Sequence, residues 1–594
     1  MIRTPLRPLA RILDARAKGE NPQAIERENI RIRHEQMRDQ SRQRAEGRLL
    51  VLGLFFFCAF AVVGGRMGLL ATSEPSEPRA EAPGSIISAS RADIVDRHGN
   101  LLATNFETHA LYAQPPHMID PEHAARELAR IFPDLEEAKL KKDFTGKRKF
   151  LWIKRKISPE QLQAVHEIGD PGLLFGPREM RLYPNGSLAA HVMGGASYGK
   201  EGVSAAEVIG VAGVEKYFDD YLRDPANGNT PLQLSLDLTV QAAAERVLYG
   251  GMKLMNAKGA TSVLMDVYTG EVVSVVSLPS FDPNDRPRPA IKGDASDSPL
   301  FNRSVQGVYE LGSAFKIFTA AQGIDLGLVS AETVIDTSGP MRVGGFPIGE
   351  FRGKNYGKLS VQDIIVHSSN RGTGRIALQI GVERQQEFLK NLGFFDATSF
   401  EIVEAAGGRP LLPKRWTDLS AVTISYGHGL STSPMHLAAG YAAIANGGRK
   451  VEPTLLKQSG AKLGPRVMSE RAAADARRML RAVVADGTAS FGDVPGYQVG
   501  GKTGTADKPR PQGGYYKDKV IATFASMFPA NDPRYVLIVT LDEPVETSGP
   551  KPRRTAGWTA VPVAAEMIRR IAPLLGLRPT VEPAPLTGIT LTSN

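Results

Sequence analysis

Apolar positions follow three regimes along the chain, and each predicts a different kind of element. From Leu49 to Gly65 (LLVLGLFFFCAFAVVGG) no position is charged, and Met67–Ala71 carries the apolar run past Arg66. Residues 49–71 therefore reach the ~20 residues that cross a bilayer as a helix. Spacing of the 3.6-residue kind predicts helices over Pro121–Phe132, Pro159–Ile168, Thr239–Leu254, Pro434–Asn446 and Ser469–Val484. Short apolar runs predict strands: Ser262–Asp266 and Val272–Ser277 form a hairpin pattern around Tyr268-Thr269-Gly270, and Ile521–Met527 and Tyr535–Leu541 follow later. Leu101–Leu102 and His109–Tyr112 read as parts of short strands.

Turn formers punctuate these elements. Residues 72–84 (TSEPSEPRAEAPG) read as an extended linker, and Pro225, Asn227-Gly228-Asn229 and Pro231 as a hinge. The expected organisation is a basic tail (1–48), a transmembrane helix (49–71), a linker and pedestal (72–229), a large α+β domain (230–576) and an unstructured tail (577–594). No internal repeat is visible.

Charge orients this plan. Residues 1–48 hold twelve Arg and Lys, against only Arg66 and Arg79 between the start of the apolar run and Arg91. Positive flanks stay cytoplasmic, so the N-terminus is expected inside and everything after residue 72 outside. A cleaved signal peptide is disfavoured, because 48 residues precede the apolar run. Glu26, Glu28, Glu35, Asp39 and Glu46 interleave with the arginines, which argues against nucleic-acid binding and for a solvated or membrane-adjacent helix. The only cysteine, Cys58, lies in the apolar span, which excludes an internal disulfide and a multi-cysteine metal site.

Three short motifs carry candidate chemistry. Ser313-Ala-Phe-Lys316 places a hydroxyl and an amine on one helical face, where a lysine with a lowered pKa can activate the serine. Ser368-Ser369-Asn370 offers a hydroxyl to relay a proton and an amide to hold a peptide bond; alone it reads as a polar loop or cap between Ile364–Val366 and the following apolar helix. Lys502-Thr503-Gly504-Thr505 offers a cation and hydroxyls for a carboxylate, with Gly504 permitting close backbone approach; alone it reads as a polar turn. Each is weak in isolation. Their order, S-x-x-K then S-x-N then K-T-G, is the signature of penicillin-binding proteins and serine β-lactamases.

On these residues the chain resembles class B penicillin-binding proteins over nearly all of its length beyond the apolar run. Arg91-Ala-Asp-Ile-Val-Asp96-Arg97-His-Gly99 through Ala103 is similar to the stretch that follows the membrane helix in that family. Arg181-Leu-Tyr183-Pro184, His191 and Gly213-Val-Glu215 resemble its pedestal motifs, and Leu236-Asp237 through Gln241 the start of its transpeptidase domain. Ser368-Ser369-Asn370, Lys502-Thr503-Gly504 and Ser425-Tyr-Gly-His-Gly-Leu430 look like the septal, division-specific members rather than the elongation enzymes. Two positions depart: Ala92 replaces a usual glycine, which would alter a pedestal turn, and Leu311 replaces a common proline.

The resemblance implies a peptidoglycan D,D-transpeptidase without metal or diffusible cofactor. Ser313 would attack the D-Ala-D-Ala bond of a stem peptide, with Lys316 as general base and Ser368 and Lys502 passing the proton to the leaving amine. Thr503, Thr505, Gly504 and Asn370 would bind substrate, and the amides of Ser313 and Thr505 would form the oxyanion hole. β-Lactams would trap Ser313. No glycosyltransferase domain fits the roughly 150 residues before the transpeptidase domain, so a membrane-embedded septal glycosyltransferase and other division proteins are expected partners. The rivals are a catalytically idle scaffold or β-lactam sensor, a β-lactamase using Glu387 of an E-x-x-x-N sequence, a histidine triad through His367 or His428, and a P-loop ATPase. The last rests on Gly496-Tyr-Gln-Val-Gly-Gly501-Lys502-Thr503, which matches G-x-x-x-x-G-K-[ST] but precedes a run of Gly and Pro that cannot sustain the helix such a loop must open.

Overall fold

The computed structural model describes residues 7–72, 91–201, 206–227, 229–289, 291–510 and 513–580. Most of the linker and the end of the C-terminal tail lie outside these residues.

In the N-terminal unit a helix over Arg7–Ala17 precedes one long helix, Pro22–Thr72. Its Glu46–Met67 portion is the one helical stretch among the described residues that is long and apolar enough to cross a membrane. The apolar segment is thus the second half of a continuous helix. Residues 22–48 are helical because Arg, Gln and Glu lose little rotamer freedom there, helped by i,i+3 and i,i+4 pairs such as Glu28–Arg31 and Arg31–Glu35.

Residues 91–145 and 151–580 belong to a second unit. Its first part is built on β1 (Ile94–Val95), β2 (Leu101–Ala113), β3 (Leu151–Ile157) and β4 (Leu173–Leu182), with β2 pairing antiparallel to the other three. The two short strands expected at 101–102 and 109–112 are one strand. Polar residues interrupt the apolar pattern from Asn105 to Thr108, yet their backbones stay in register with Arg178–Arg181 of β4. Helices Pro121–Ile131 and Pro159–Ile168 form where the apolar spacing placed them, capped by Asp120 and by a Ser158/Gln161 capping box. They cover one side of these strands with a small core of their own around Leu111, Leu128, Phe132 and Val165.

The other end of the pedestal has no separate core. Ile94, Leu102, Val192 and Val214 belong to the same continuous apolar cluster as the large domain. Of the expected turn formers, Pro225–Asn227 do make a 3₁₀ segment, but β5 (Leu232–Gln233) pairs in parallel with β1 soon after it. That turn joins the two regions instead of hinging them. Ala92 causes no distortion: it is 3% exposed and donates its N–H to the Leu222 carbonyl at 2.8 Å.

The large domain is an antiparallel five-stranded sheet. It contains β6 (Gly259–Asp266), β7 (Val272–Leu278), β8 (Gly500–Pro509), β9 (Tyr515–Phe528) and β10 (Tyr535–Asp542), in the order β8-β9-β10-β6-β7. Helices Leu238–Leu254 and Ala560–Leu574 pack together on β7 and β10. Pro434–Ala445 and Glu470–Asp486 pack on β10 and β8, and Glu470–Asp486 carries the helix Lys316–Asp325. β6 and β7 are buried at nearly every position, as continuous apolar runs require. The outcome that matters for chemistry is that β8 is an edge strand.

Candidate active site

Ser313 sits in a 3₁₀ turn, Gly312–Phe315, that opens directly into the helix Lys316–Asp325. Backbone fills both sides of that turn. A Cβ on Gly504 of β8 would collide with the Leu311 carbonyl, and one on Gly427 would collide with the Gly312 carbonyl. Gly427 also has φ +84° and its carbonyl accepts the Gly312 N–H at 3.1 Å. Glycine is therefore needed on each flank so that the K-T-G strand and the Ser425–Leu430 loop can close on the Ser313 turn. From behind, the buried Tyr441 hydroxyl donates to the Ala314 carbonyl at 2.8 Å. Leu311, in place of proline, is 1% exposed and fits without altering this arrangement.

The three motifs converge. Lys316 Nζ donates to the Ser368 carbonyl, to Ser368 Oγ at 3.1 Å and to Asn370 Oδ1 at 2.7 Å. Lys502 Nζ, entering from β8, donates to the same Ser368 Oγ at 3.0 Å and to the Thr503 carbonyl at 3.2 Å. One serine hydroxyl is thus held between two lysine amines, both fully buried. Ser313 is half-buried, and among the described residues its hydroxyl has no side-chain partner. Lys316 is poised on Ser368, not yet on Ser313.

Burial dominates the electrostatics. It lowers the Lys316 pKa well below its ordinary value; the nearby Lys502 cation lowers it further and the Glu350 carboxylate partly opposes this. Burial lowers Lys502 to about 7. Two amines sharing a dry site near neutral pH are suited to accept and release protons.

Ser368 has φ +62°, a conformation costly for serine. Besides Lys316, the contact that holds its loop is Glu350, which no motif indicated. Its carboxylate accepts from the Ser369 hydroxyl at 2.5 Å and from the Asn370 and Arg371 N–H groups at 2.8 and 3.0 Å. It thereby supplies negative charge at the N-terminus of the helix Asn370–Ile380, whose N-cap is Ser369. The cap reading of Ser368-Ser369-Asn370 is also correct. Thr488 was missed as well: its hydroxyl lies 2.9 Å from that of Thr503, while Thr505 Oγ1 accepts the Ala556 N–H at 3.0 Å.

Three of the rivals fail on geometry. Lys502 and Thr503 lie within β8, not in a loop that opens a helix, so the phosphate-binding arrangement is absent. The polar-turn reading of K-T-G fails for the same reason. Glu387 is on the exposed face of the helix Val382–Asn391. The His367 ring stacks on Tyr356 and the His428 ring lies against Tyr426; among the described residues neither ring bonds to a serine hydroxyl.

Comparison with known proteins matches residues 260–567 to the penicillin binding protein transpeptidase domain and residues 86–230 to the penicillin-binding protein dimerisation domain. The chain belongs to the class B penicillin-binding proteins. It is 34% identical over 549 residues to the probable peptidoglycan D,D-transpeptidase FtsI of Caulobacter vibrioides, covering 90% of this chain and 89% of that one. The peptidoglycan D,D-transpeptidase FtsI of Escherichia coli K12 is 27% identical over 487 residues, covering 77% and 80%. A crystal structure of penicillin-binding protein 3 from Mycobacterium tuberculosis complexed with aztreonam superposes with a TM-score of 0.62 at 25% identity, covering 83% of this chain and 98% of that chain. A class B penicillin-binding protein is a serine acyltransferase, which is what two depressed lysines around a serine pair can serve.

Proposed function

We propose that this penicillin-binding protein is the septal peptidoglycan D,D-transpeptidase of its cell and that Ser313 is its nucleophile. The observation that carries the reading is the Lys316–Ser368–Lys502 relay beside the partly open Ser313 turn. Ser313 Oγ attacks the carbonyl of the D-Ala-D-Ala bond, and Lys316, whose burial lowers its hold on a proton, takes the hydroxyl proton once it has shed its own. Ser368 and Lys502 pass a proton to the departing amine. The backbone amides of Ser313 and Thr505 face the developing oxyanion from the turn and from β8, a donor pair of the kind whose loss costs ~10²–10³ in rate. Thr503 and Thr505 hold the substrate carboxylate, Asn370 holds a stem amide, and Gly504 keeps β8 close enough for all of this. An amine from a neighbouring stem then resolves the ester.

The same reading extends outward. Residues 1–48 lie in the cytoplasm, 49–71 span the inner membrane, 72–229 form the linker and pedestal, 230–576 the transpeptidase domain and 577–594 a tail. The division role rests on the Ser368-Ser369-Asn370 and Lys502-Thr503-Gly504 variants of the motifs. Glycan polymerisation falls to a membrane-embedded septal glycosyltransferase, with other division proteins beside it.

The test is covalent labelling with a fluorescent penicillin. Wild type labels durably and Ser313→Ala, shown folded by circular dichroism, does not. A folded wild type that fails to label would move the chain to an idle scaffold.

A further inference from the structure

The hydroxyls of Thr503 and Thr505 each touch a segment that no motif predicted, and those two segments meet. Thr488 reaches Thr503, and Ala556 reaches Thr505. Gly557 lies against the Thr488 carbonyl so closely that a Cβ there would stand 2.8 Å from the oxygen. Just beyond, Phe491 and Trp558 pair with ring centroids 5.1 Å apart, although they remain 54% and 41% exposed. The Arg553 guanidinium lies over the Trp558 ring at 3.8 Å, with Glu546 a loose 3.7 Å away. Arg554 beside it buries an Nε with no hydrogen-bond partner among the described residues. Exposed paired aromatics carrying a stacked, under-paired cation form a surface suited to an anionic, partly apolar chain.

We infer that this ledge of Phe491, Trp558 and Arg553 is the seat of the acceptor stem peptide. The inference rests on the transpeptidase reading above and deepens it. In acylation the bond from the carbonyl carbon to the D-alanine nitrogen breaks, and the D-alanine carboxylate sits on Thr503 and Thr505. In transfer the acceptor nitrogen forms a new amide bond to that carbon, the ester bond to Ser313 Oγ breaks, and the amine proton returns through the relay to Ser313. The second step resembles the first run backwards, so the attacking amine occupies the place the leaving amine vacated. Whatever extends from the acceptor beyond that amine passes the two threonines on the side where Thr488 and Ala556 stand. The ledge is the next surface it meets. Its aromatic faces cover the stem's aliphatic portions, and Arg553 answers a stem carboxylate.

A small acceptor does not reach that far, which makes the test internal. The full-length protein is acylated with a thioester analogue of the donor stem and offered either D-alanine or a synthetic stem tetrapeptide bearing a free side-chain amine. Products are counted by mass spectrometry. In Trp558→Ala the ratio of tetrapeptide to D-alanine transfer falls about tenfold, in the range one lost apolar contact produces, through a higher tetrapeptide concentration at half-maximal rate. Trp558→Phe restores most of it, and Arg553→Met lowers it without changing transfer to D-alanine. Penicillin labelling rate reports that each variant is folded; should Trp558→Ala fail to label, Phe491→Ala takes its place. Labelling intact with a ratio unchanged within twofold overturns the ledge alone, and is also the outcome if the ledge instead docks a protein. A wild type that does not label overturns the transpeptidase reading and the ledge together.

Discussion

Two of the places where the described residues bury several charges handle them in opposite ways. In the pedestal, Arg91 Nε bonds Glu215 at 2.7 Å and its Nη1 bonds Asp219 at 2.8 Å, while Arg181 Nε bonds the other Glu215 oxygen at 2.6 Å. The Tyr183 hydroxyl, the Gly210 N–H and Arg223 complete the set, so that cations and carboxylates alternate. At the candidate active site two lysines are buried as deeply, yet among the described residues the one carboxylate acting on Lys316 is that of Glu350, committed to three donors of the Ser369–Arg371 segment. The first cluster has its charge compensated and is a fixed knot. The second is left short of negative charge, so its amines shed protons easily. Burial alone does not mark a reactive site; uncompensated burial does.

That contrast can be broken by removing one group at a time. Lys316→Ala should lower the rate of penicillin acylation by about 10²–10⁴-fold, the span of a lost general base, with a thermal midpoint no lower than wild type. Glu215→Ala should do the reverse. Stripping the carboxylate between Arg91 and Arg181 should cost about 3–5 kcal/mol in denaturant unfolding, while the fraction still folded labels at the normal rate. Loss of labelling at unchanged stability would show that the pedestal knot is not merely structural.

Smaller effects sharpen the picture. Glu350→Gln should lower acylation about tenfold through the Ser368 loop, the size of a lost charged hydrogen bond. Because Glu350 holds the Lys316 pKa up, its removal should also move the acid limb of the pH–rate profile to lower pH. Lys502→Met should abolish turnover yet stabilise the fold by about 1 kcal/mol at pH 6. Lys502 binds a proton less readily when folded, near 7 against an ordinary 10.5, so its burial cost is full below pH 7 and fades as pH rises to 10.5. The advantage of the variant should shrink across that window in paired urea titrations.

Much of this was legible in the chain. Helix Pro159–Ile168 and the hairpin around Tyr268–Gly270 follow from local spacing and local turn chemistry, so a window of residues suffices. The residues that the fold gathers around Ser368 were legible because three motifs occur in a fixed order. What stayed hidden depends on distant partners. β2 looked broken because Asn105 and Glu107 are polar, but Asn105 spans Arg91 and Arg181, residues 14 and 76 positions away. Glu350 and Thr488 stand in no recognisable spacing to the groups they serve; only the closed fold brings them there. Nor did turn composition at 225–231 reveal that the chain resumes pairing with β1.

That pairing has a consequence for how such proteins can exchange parts. A recombination that imports a foreign transpeptidase segment beginning near residue 230 would bring new partners for Ile94, Leu102, Val192 and Val214 while leaving those four side chains behind. Crossovers that survive should therefore fall where no apolar contact is severed, or should carry residues 91–103 along with the imported segment. The unit of inheritance in this protein is larger than the unit of catalysis.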